Sequence, residues 1–317
     1  MPILSGIRAW LGGKLVKAHL ESQRKKLGVR VETHRDAKGR ETPYLVLGED
    51  REGTLVFLHG FGDRIDNFLV TARHLADRYR ILVPAMPGFG DGWLDPEELH
   101  TAEAYGRWLG DVVADIAPPR FHLMGNSLGG ATALLLAERM PERLESLVLV
   151  DCAGINPGGV RSAYDEAIEG HNLFEVRSHA DYRRFQGRVM AKPMKLPPLV
   201  DAHLFEETRK KADWYARVWS DLGSVESGIF DGSKTSLVAL HGITVPTLVV
   251  WGELDSLFPV AMGEHVAAGV PGAKLVVFEG IGHCPHLECP AELARTFDEF
   301  ARGLRDSRHV SDRAAVR

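Results

Sequence analysis

A serine between small residues is the first place in this sequence where chemistry can be expected. The stretch "FHLMGNSLGGATALLLAERMPERL", residues 121–144, contains the motif G-x-S-x-G with Ser127 at its centre. An apolar run typical of a strand precedes the motif, and a run with helical spacing follows it. In that context the turn is strained and the flanking glycines leave room for it. The motif therefore predicts a nucleophilic hydroxyl above a sheet edge, at a helix N-terminus.

A serine hydroxyl needs a base to take its proton and a third group to orient that base. His283 follows the apolar run "KLVVFEGIGH", and Asp255 follows "TLVVWGELD". Each residue is expected just past the carboxyl end of a strand, at the same edge as Ser127. We therefore predict Ser127 as nucleophile, His283 as base and Asp255 as the orienting acid, in the chain order Ser, Asp, His.

Backbone amides are expected to hold the negative charge that develops on an attacked carbonyl oxygen. One candidate is the amide of Leu128, directly after the serine at the start of its helix. The other is the amide of Phe61, in "HGFG" after the strand "TLVFLHG". These two donors are the predicted oxyanion hole.

Other residues compete for the same roles. Asp151, directly after "SLVLV", could act as the acid from another strand end, and Glu253 lies two residues before Asp255. His286 is an alternative base, although a place in the pocket wall is favoured for it. His59 is interpreted as a structural residue under the oxyanion loop.

The segment "HCPHLEC" brings two histidines and two cysteines within seven residues, a composition that zinc sites use. The spacing lacks a second paired half, and the prolines at 285 and 290 indicate a turn that leads into a helix. No metal and no cofactor are predicted.

The elements that position these residues alternate between strand and helix. Apolar runs that end at glycine or proline read as buried strands, and the segments between them carry helical spacing. This alternation predicts an α/β fold with a mostly parallel sheet, helices on both faces and the site beyond the carboxyl ends of the strands. The predicted division is an N-terminal helical segment (1–40), a core in two parts (41–155 and 236–304), an inserted helical cap (156–235) and a polar tail (305–317).

Composition limits the classes of function. The chain has 317 residues, 44% of them hydrophobic, and a net charge of −5, so no global positive field favours nucleic acid. Three cysteines are too few for a disulfide framework, which favours a cytoplasmic localisation.

The first residues of the chain combine apolar positions at near-helical spacing with six basic residues. They are interpreted either as a helix packed on its own domain, although Gly12-Gly13 weakens it, or as a helix on an anionic membrane surface.

Several segments together resemble the α/β-hydrolase fold family, in its cap-bearing branch of serine esterases and lipases. They are "LHGFGD" (58–63), "MPGFG" (86–90), "GNSLGG" (125–130), "PTLVVWGELDSLFP" (246–259) and "GIGHCPHLECP" (280–290). The layout is similar to monoacylglycerol-lipase-type proteins. The resemblance implies Ser127, Asp255 and His283 as the triad and the amides of Phe61 and Leu128 as the oxyanion hole. Ala85 and Gly92 depart from the family's usual aspartate and serine around the "PGFG" turn, which bears on substrate range.

The expected function is that of a serine carboxylesterase or lipase on short- to medium-chain acyl esters, with monoacylglycerols among the candidates. An apolar helical lid over the strand edge favours an uncharged substrate with an apolar part. An alternative is hydrolysis of a carbon–carbon bond, as in ring-cleavage hydrolases of the same fold, which tend to have a tryptophan where this chain has Cys284. A binding module that keeps the fold without catalysis is the third hypothesis, and it predicts a missing triad member.

Overall fold

The computed structural model describes residues 2–49, 51–223 and 234–315. Eight strands form one sheet in the order β1-β2-β4-β3-β5-β6-β7-β8. β1 pairs antiparallel with β2 and β2 with β4, and every other neighbouring pair is parallel. The predicted α/β class with a mostly parallel sheet is confirmed. The strands are β1 (Arg30–Arg35), β2 (Glu41–Leu47), β3 (Thr54–Leu58), β4 (Arg80–Pro84), β5 (Phe121–Asn126), β6 (Leu144–Val150), β7 (Thr247–Gly252) and β8 (Lys274–Phe278).

Eleven α-helices accompany the sheet within the described residues. They are α1 (Pro2–Lys26), α2 (Leu69–Ala72), α3 (Ala102–Ile116), α4 (Leu128–Arg139), α5 (Ala163–Ile168), α6 (His179–Val189), α7 (Pro198–Lys210), α8 (Ala212–Leu222), α9 (Val260–Gly269), α10 (Pro285–Glu288) and α11 (Pro290–Ala315). Short 3-10 turns occupy Ile65–Phe68, Pro141–Arg143 and Leu240–Gly242.

The core lies on both faces of the sheet because successive strand residues point to opposite sides. In β3, Leu55 and Phe57 pack with α2 and α11, whereas Val56 and Leu58 belong to the cluster that contains α3, α4 and α9. All five residues of β3 are buried. Covering both faces fixes the sheet rigidly, so the loops at the carboxyl ends of its strands have a firm base.

Four helices between β6 and β7 correspond to the predicted cap. α5 and α6 each begin with a capping box, at Ser162 and Ser178, in which serine and a following aspartate satisfy the free backbone amides. Residues 224–233 of the predicted cap lie outside the described residues. The division of the chain into separate units remains a prediction.

Three parts of the secondary structure differ from the expectations. The first 40 residues are not all helical, because Gly28 (φ 65°) turns the chain after α1 into the edge strand β1. That strand, "RVETHR", is mostly polar and gives no apolar run. The tail predicted from 305 continues as helix to 315, where Ser307 Oγ donates back to the carbonyl of Gly303 at 2.8 Å. The segment 66–79, whose apolar residues have helical spacing between two predicted strands, forms a helix only as far as residue 72 and continues as turns.

The glycine pair of α1 has a packing role that the sequence did not reveal. α1 packs on α7, and Gly12 is buried where the two helices cross. A side chain at Gly12 would collide with the carbonyl of Leu199, and one at Gly13 would approach His203 to 2.9 Å. The cost of glycine in the helix is thus offset by close backbone contact with α7.

We predict that Gly12→Ala lowers the melting temperature, because the added methyl forces α1 away from α7. Overpacking of this kind typically costs about 1–3 kcal/mol. Gly6→Ala is the matched control, since a methyl at Gly6 meets open space and improves helix propensity by up to about 1 kcal/mol. Equal effects of the two substitutions in thermal unfolding and in amide exchange of α1 would contradict this packing.

Candidate active site

Ser127 lies on a tight turn between β5 and α4, with φ 54° and ψ −119°. Few residues other than glycine adopt a positive φ, so the surroundings must hold this conformation. The backbone amide of Ser127 donates to the carbonyl of Val150 at 3.0 Å, and its carbonyl accepts from Ala153 at 3.0 Å and Ala131 at 3.1 Å. The turn is therefore anchored to the end of β6 and to its own helix.

The glycines around Ser127 are required by close approach. A side chain at Gly125 would collide with the backbone of Gly129. One at Gly129 would collide with the carbonyl of Leu58, and one at Gly130 would lie 2.9 Å from the sulfur of Cys152. Since backbone occupies the space beside Gly125 and Gly129, and the Cys152 side chain that beside Gly130, the motif brings β3, β5 and α4 together around Ser127.

His283 and Asp255 are joined by a buried hydrogen bond, with Nδ1 of His283 2.7 Å from Oδ2 of Asp255. The other oxygen of Asp255 accepts the amides of Leu257 at 2.8 Å and Phe258 at 3.1 Å. Because the carboxylate is held from three directions, it fixes the imidazole with Nδ1 as the donor and leaves Nε2 as the basic nitrogen. This is the arrangement expected of an oriented general base.

Ser127 and His283 line the same cavity, but no hydrogen bond joins their side chains among the residues that the structure describes. Such a contact is often long in a ligand-free enzyme and shortens when substrate binds. Asn126 connects the two loops directly, since its Nδ2 donates to the carbonyls of His283 at 3.0 Å and Val150 at 3.2 Å.

The two alternative acids occupy different surroundings. Glu253 is exposed and accepts the amide of Gly280 at 2.8 Å, outside the site. Asp151 is fully buried and lies within the site, where one of its oxygens accepts the amide of Gly252 at 2.8 Å. Polar atoms of Asp151, Asp255 and His283 lie within 4.8 Å of one another.

His59 fixes the peptide that carries one predicted oxyanion donor. Its Nε2 accepts the amide of Met86 at 3.0 Å, so the proton is on Nδ1, which donates to the carbonyl of Gly60 at 2.9 Å. Burial lowers the pKa of His59 and keeps it neutral. A trans peptide points its C=O and N–H in opposite directions, so this bond also sets the direction of the Phe61 amide.

The loop that contains Phe61 runs close to the serine. A side chain at Gly60 would lie 3.1 Å from both Cβ of Ser127 and Oδ1 of Asn126. The amide of Leu128 is the first of α4 and has no acceptor within the helix. Both amides predicted for the oxyanion hole therefore belong to backbone that borders the nucleophile.

His286 forms no hydrogen bond with Ser127 or Asp255 among the residues that the structure describes. Its Nε2 lies 3.2 Å from Oδ2 of Asp63, and its carbonyl accepts the hydroxyl of Thr71. Burial is the largest influence and favours the neutral form of Asp63, but the bond and charge of His286, the charge of His59 and the amide of Arg64 together lower the pKa of Asp63. His286 thus supports Asp63, which lines two of the cavities, but does not itself line any of the cavities described below.

The cysteine and histidine residues of "HCPHLEC" do not form a common ligand set among the described residues. His283 and His286 each bond to a different aspartate. Burial raises the pKa of Cys284 well above its usual range and that of Cys289 to about 12, so both remain neutral thiols, whereas zinc binds thiolate. The trio of Asp151, Asp255 and His283 is closer together, but its 2.7 Å Asp–His separation is that of a hydrogen bond.

Two cavities of different character meet at Ser127. One, about 60 Å³, is lined by apolar side chains that include Tyr164, Phe174, Trp219 and Leu222. The other, about 170 Å³, also contains polar groups, namely Asp63, Asn67, Asn126 and His283. The serine can therefore face an apolar group on one side and a more polar one on the other.

A third concavity among the described residues does not contain Ser127. It is an open groove of about 790 Å³ between α1, α7 and the loop after β3. Gly62, Asp63, Asn67 and Leu287 line both this groove and the more polar cavity, so the two adjoin.

Two residues that were not assigned a role from the sequence hold the loops of Asp255 and His283. Arg188 of α6 donates to the hydroxyl of Ser256 at 2.9 Å and to its carbonyl at 2.7 Å, beside Asp255. Glu288 of α10 accepts the amides of Ala191 at 2.8 Å and Gly282 at 3.1 Å. Arg188 lies in a segment with no motif, whereas Glu288 lies in "GIGHCPHLECP" and Asn126 in "GNSLGG".

Comparison with known proteins shows to which family this chain belongs. A model described as "Alpha/beta hydrolase family" matches residues 55–296, which include all five residues predicted for the site. The chain belongs to the alpha/beta hydrolase family. The predicted α/β-hydrolase fold is therefore confirmed, and with it the membership of a family of hydrolases.

Individual relatives of this alpha/beta hydrolase cover most of its length. Lipase 1 of Psychrobacter immobilis is 28% identical over 282 residues, 89% of this chain and 87% of that protein. The crystal structure of a bacterial membrane phospholipase A superposes with a TM-score of 0.84 at 27% identity and covers 96% of each chain. A 2-hydroxy-6-oxononadienedioate/2-hydroxy-6-oxononatrienedioate hydrolase of Cupriavidus pinatubonensis is 29% identical over 254 residues, 78% of this chain and 86% of that protein. The first two support the esterase and lipase branch.

Proposed function

We propose that the protein is a serine hydrolase of carboxylic esters, with Ser127 as nucleophile, His283 as general base and Asp255 as its orienting acid. The observation that carries the proposal is the buried 2.7 Å contact between His283 and Asp255 at the edge of the cavity that holds Ser127. The similarity to Lipase 1 supports ester substrates in particular.

In the first half of the reaction, Oγ of Ser127 attacks the ester carbonyl carbon while Nε2 of His283 takes the hydroxyl proton. The carbonyl oxygen becomes negative and accepts hydrogen bonds from the amides of Phe61 and Leu128. Asp255 stabilises the imidazolium that forms. The carbon–oxygen bond of the leaving alcohol then breaks, and His283 gives its proton to that oxygen.

In the second half, water replaces the alcohol. His283 takes a proton from the water, whose oxygen attacks the acyl-enzyme carbonyl, and the bond to Oγ breaks as His283 returns the proton to Ser127. These proposed steps use water and only side chains and amides of this chain.

Ser127→Ala is expected to abolish turnover of p-nitrophenyl esters, with a loss of at least about 10⁴-fold in kcat, because the nucleophile is removed. Ser307→Ala, at an exposed position of α11, is the control. Labelling by a fluorophosphonate at Ser127 gives a second readout. Equal ester turnover by wild type and Ser127→Ala would refute the proposal.

The carbon–carbon hydrolase remains the competing function, supported by the relative from Cupriavidus pinatubonensis. A vinylogous diketone that absorbs visible light tests it in the same assay. We expect esters to be turned over and the dienoate to persist; the reverse pattern would favour the alternative.

The substrate is proposed to be a short- to medium-chain acyl ester, with monoacylglycerols among the candidates. The small apolar cavity suits the acyl chain, because it offers contacts to apolar side chains and few polar partners. The cavity with Asp63, Asn67 and Asn126 suits the alcohol, whose hydroxyls need hydrogen bonds.

Substitutions in the two cavities should separate acyl from alcohol preference. Trp219→Ala enlarges the apolar cavity, so kcat/KM should shift towards longer acyl chains, by roughly fourfold for each added methylene that becomes buried. Val189→Ala in the other cavity is the matched variant and should alter preference among alcohols instead. An exchange of the two effects would show that the cavities are assigned the wrong way round.

We also propose that α1 contacts an anionic membrane surface. No described helix is long and apolar enough to cross a bilayer. However, Ile7, Trp10, Leu11 and Leu15 of α1 are exposed, and Lys14 lies 3.8 Å above the Trp10 ring. Exposed apolar side chains with basic neighbours on a helix are a feature of helices that bind membrane surfaces.

Trp10→Ser should therefore weaken sedimentation with vesicles that contain phosphatidylglycerol by about tenfold, because a large apolar side chain no longer enters the interface. Val31→Ser is the control, since Val31 is similarly exposed but lies on the edge strand. Binding that is equal for both variants, or equal on neutral vesicles, would count against the proposal.

A further inference from the structure

We propose that Asp151 is a positioning residue that keeps its proton and donates it in a hydrogen bond to the carboxylate of Asp255. This inference rests on the proposed role of Asp255 as the acid that orients His283. It assigns Asp151 a function different from the one considered in the sequence, where it competed with Asp255.

The first observation is burial. Asp151 has no exposed surface, directly after the last residue of β6 and beside the start of the loop that follows β7. Isolated carboxylates are almost never buried this deeply, because ionisation without water or a counter-charge costs several kcal/mol. No basic side chain forms an ion pair with Asp151 among the described residues.

The second observation is the arrangement of its two oxygens. Oδ1 accepts the amide of Gly252 at 2.8 Å. Oδ2 is buried and receives no hydrogen bond from any described donor. A carboxylate oxygen of Asp151 lies within 4.8 Å of polar atoms of Asp255 and His283. A buried oxygen that has no donor and belongs to a side chain next to another carboxylate is best satisfied when it carries a proton and donates.

The third observation is that Asp255 can act only as an acceptor. Its Oδ1 takes the amides of Leu257 and Phe258, and its Oδ2 takes Nδ1–H of His283. Two charged carboxylates side by side would repel, so one of such a pair holds a proton. The one with three donors is the better place for the negative charge, which leaves the proton on Asp151.

Electrostatics agree with this assignment. Burial, followed by the charge of Asp255, raises the pKa of Asp151 well above its usual range, and the more distant Glu288 acts in the same direction. The amide of Gly252 opposes these effects. The neighbouring thiol of Cys152 is itself buried, and burial raises its pKa, so it adds no charge at neutral pH.

The backbone supports a specific requirement for this side chain. Asp151 has a φ of 44°, a region that aspartate and asparagine tolerate better than most residues. Asparagine also matches the protonated acid in hydrogen bonding, since its oxygen can accept from Gly252 and its amide can donate to Asp255. Asp151→Asn is therefore the conservative variant, and Asp151→Ala removes both bonds.

The activity test compares these two variants with Asp255→Asn. Asp151→Ala should lower kcat/KM roughly tenfold to hundredfold, the loss expected of one hydrogen bond to a charged group, and Asp151→Asn should recover most of it. Asp255→Asn should cost far more. If Asp151→Asn is as damaging as Asp255→Asn, Asp151 acts as an ionised acid and the inference is wrong.

The protonation state is tested without substrate. A carboxyl group whose pKa is raised in the folded protein makes that protein less stable as pH rises above about 4, the pKa of aspartate in the unfolded chain. Asparagine does not titrate, so the melting temperature of Asp151→Asn should gain on that of the wild type as pH rises from about 4 to 7. Infrared spectra at neutral pH should show a protonated carboxylic acid band in the wild type that is lost in Asp151→Asn.

Failure of the two proposals can be distinguished. A wild-type protein that turns over no ester refutes the proposed function, whereas the infrared band and the pH-dependent difference in melting temperature do not depend on turnover. Ester turnover by a wild type that lacks the band, or a melting temperature of Asp151→Asn that falls relative to the wild type as pH rises, overturns the inference about Asp151 alone.

Discussion

The close packing of backbone around Ser127 is the constraint on which the rest of the site depends. Positions 125, 129 and 130 have no space for a side chain, so β3, β5 and α4 approach until the serine turn is forced to a positive φ. Hydrogen bonds between Ser127 and Val150 at the end of β6, Ala153 just beyond it and Ala131 of α4 maintain this strained backbone conformation. Because the same sheet edge carries the loops of Asp255 and His283, one rigid layer sets all three side chains.

The parallel sheet explains why distant segments can be read together from sequence. Strand ends at 126, 252 and 278 all face the same edge, so residues just beyond them were expected to meet. The Asp255–His283 contact agrees with that expectation. Motif and strand pattern were sufficient here, since each residue lies within a few positions of an apolar run that forms a strand.

The remaining features could not be predicted, because they depend on contacts between segments without a pattern. β1 is a polar edge strand, and only its pairing with β2 defines it. The role of Gly12 appears only when α7 lies against it. Arg188 and Glu288 act through backbone groups of other loops, which no spacing reveals. Long-range hydrogen bonds of this kind leave no periodic signal in the sequence.

The contacts of α6 bear on how the proposed substrate preference and the proposed catalysis are related. Arg188 at the end of α6 contacts Ser256, and Glu288 joins Ala191, just beyond α6, to Gly282 in the loop before His283. The same helix end contributes Val189 and Met190 to the more polar cavity. Under the proposed assignment of that cavity to the alcohol, a shift of α6 that made room for a larger alcohol would also displace the loops that hold Asp255 and His283. The proposed function thus couples substrate size to the position of His283 through α6.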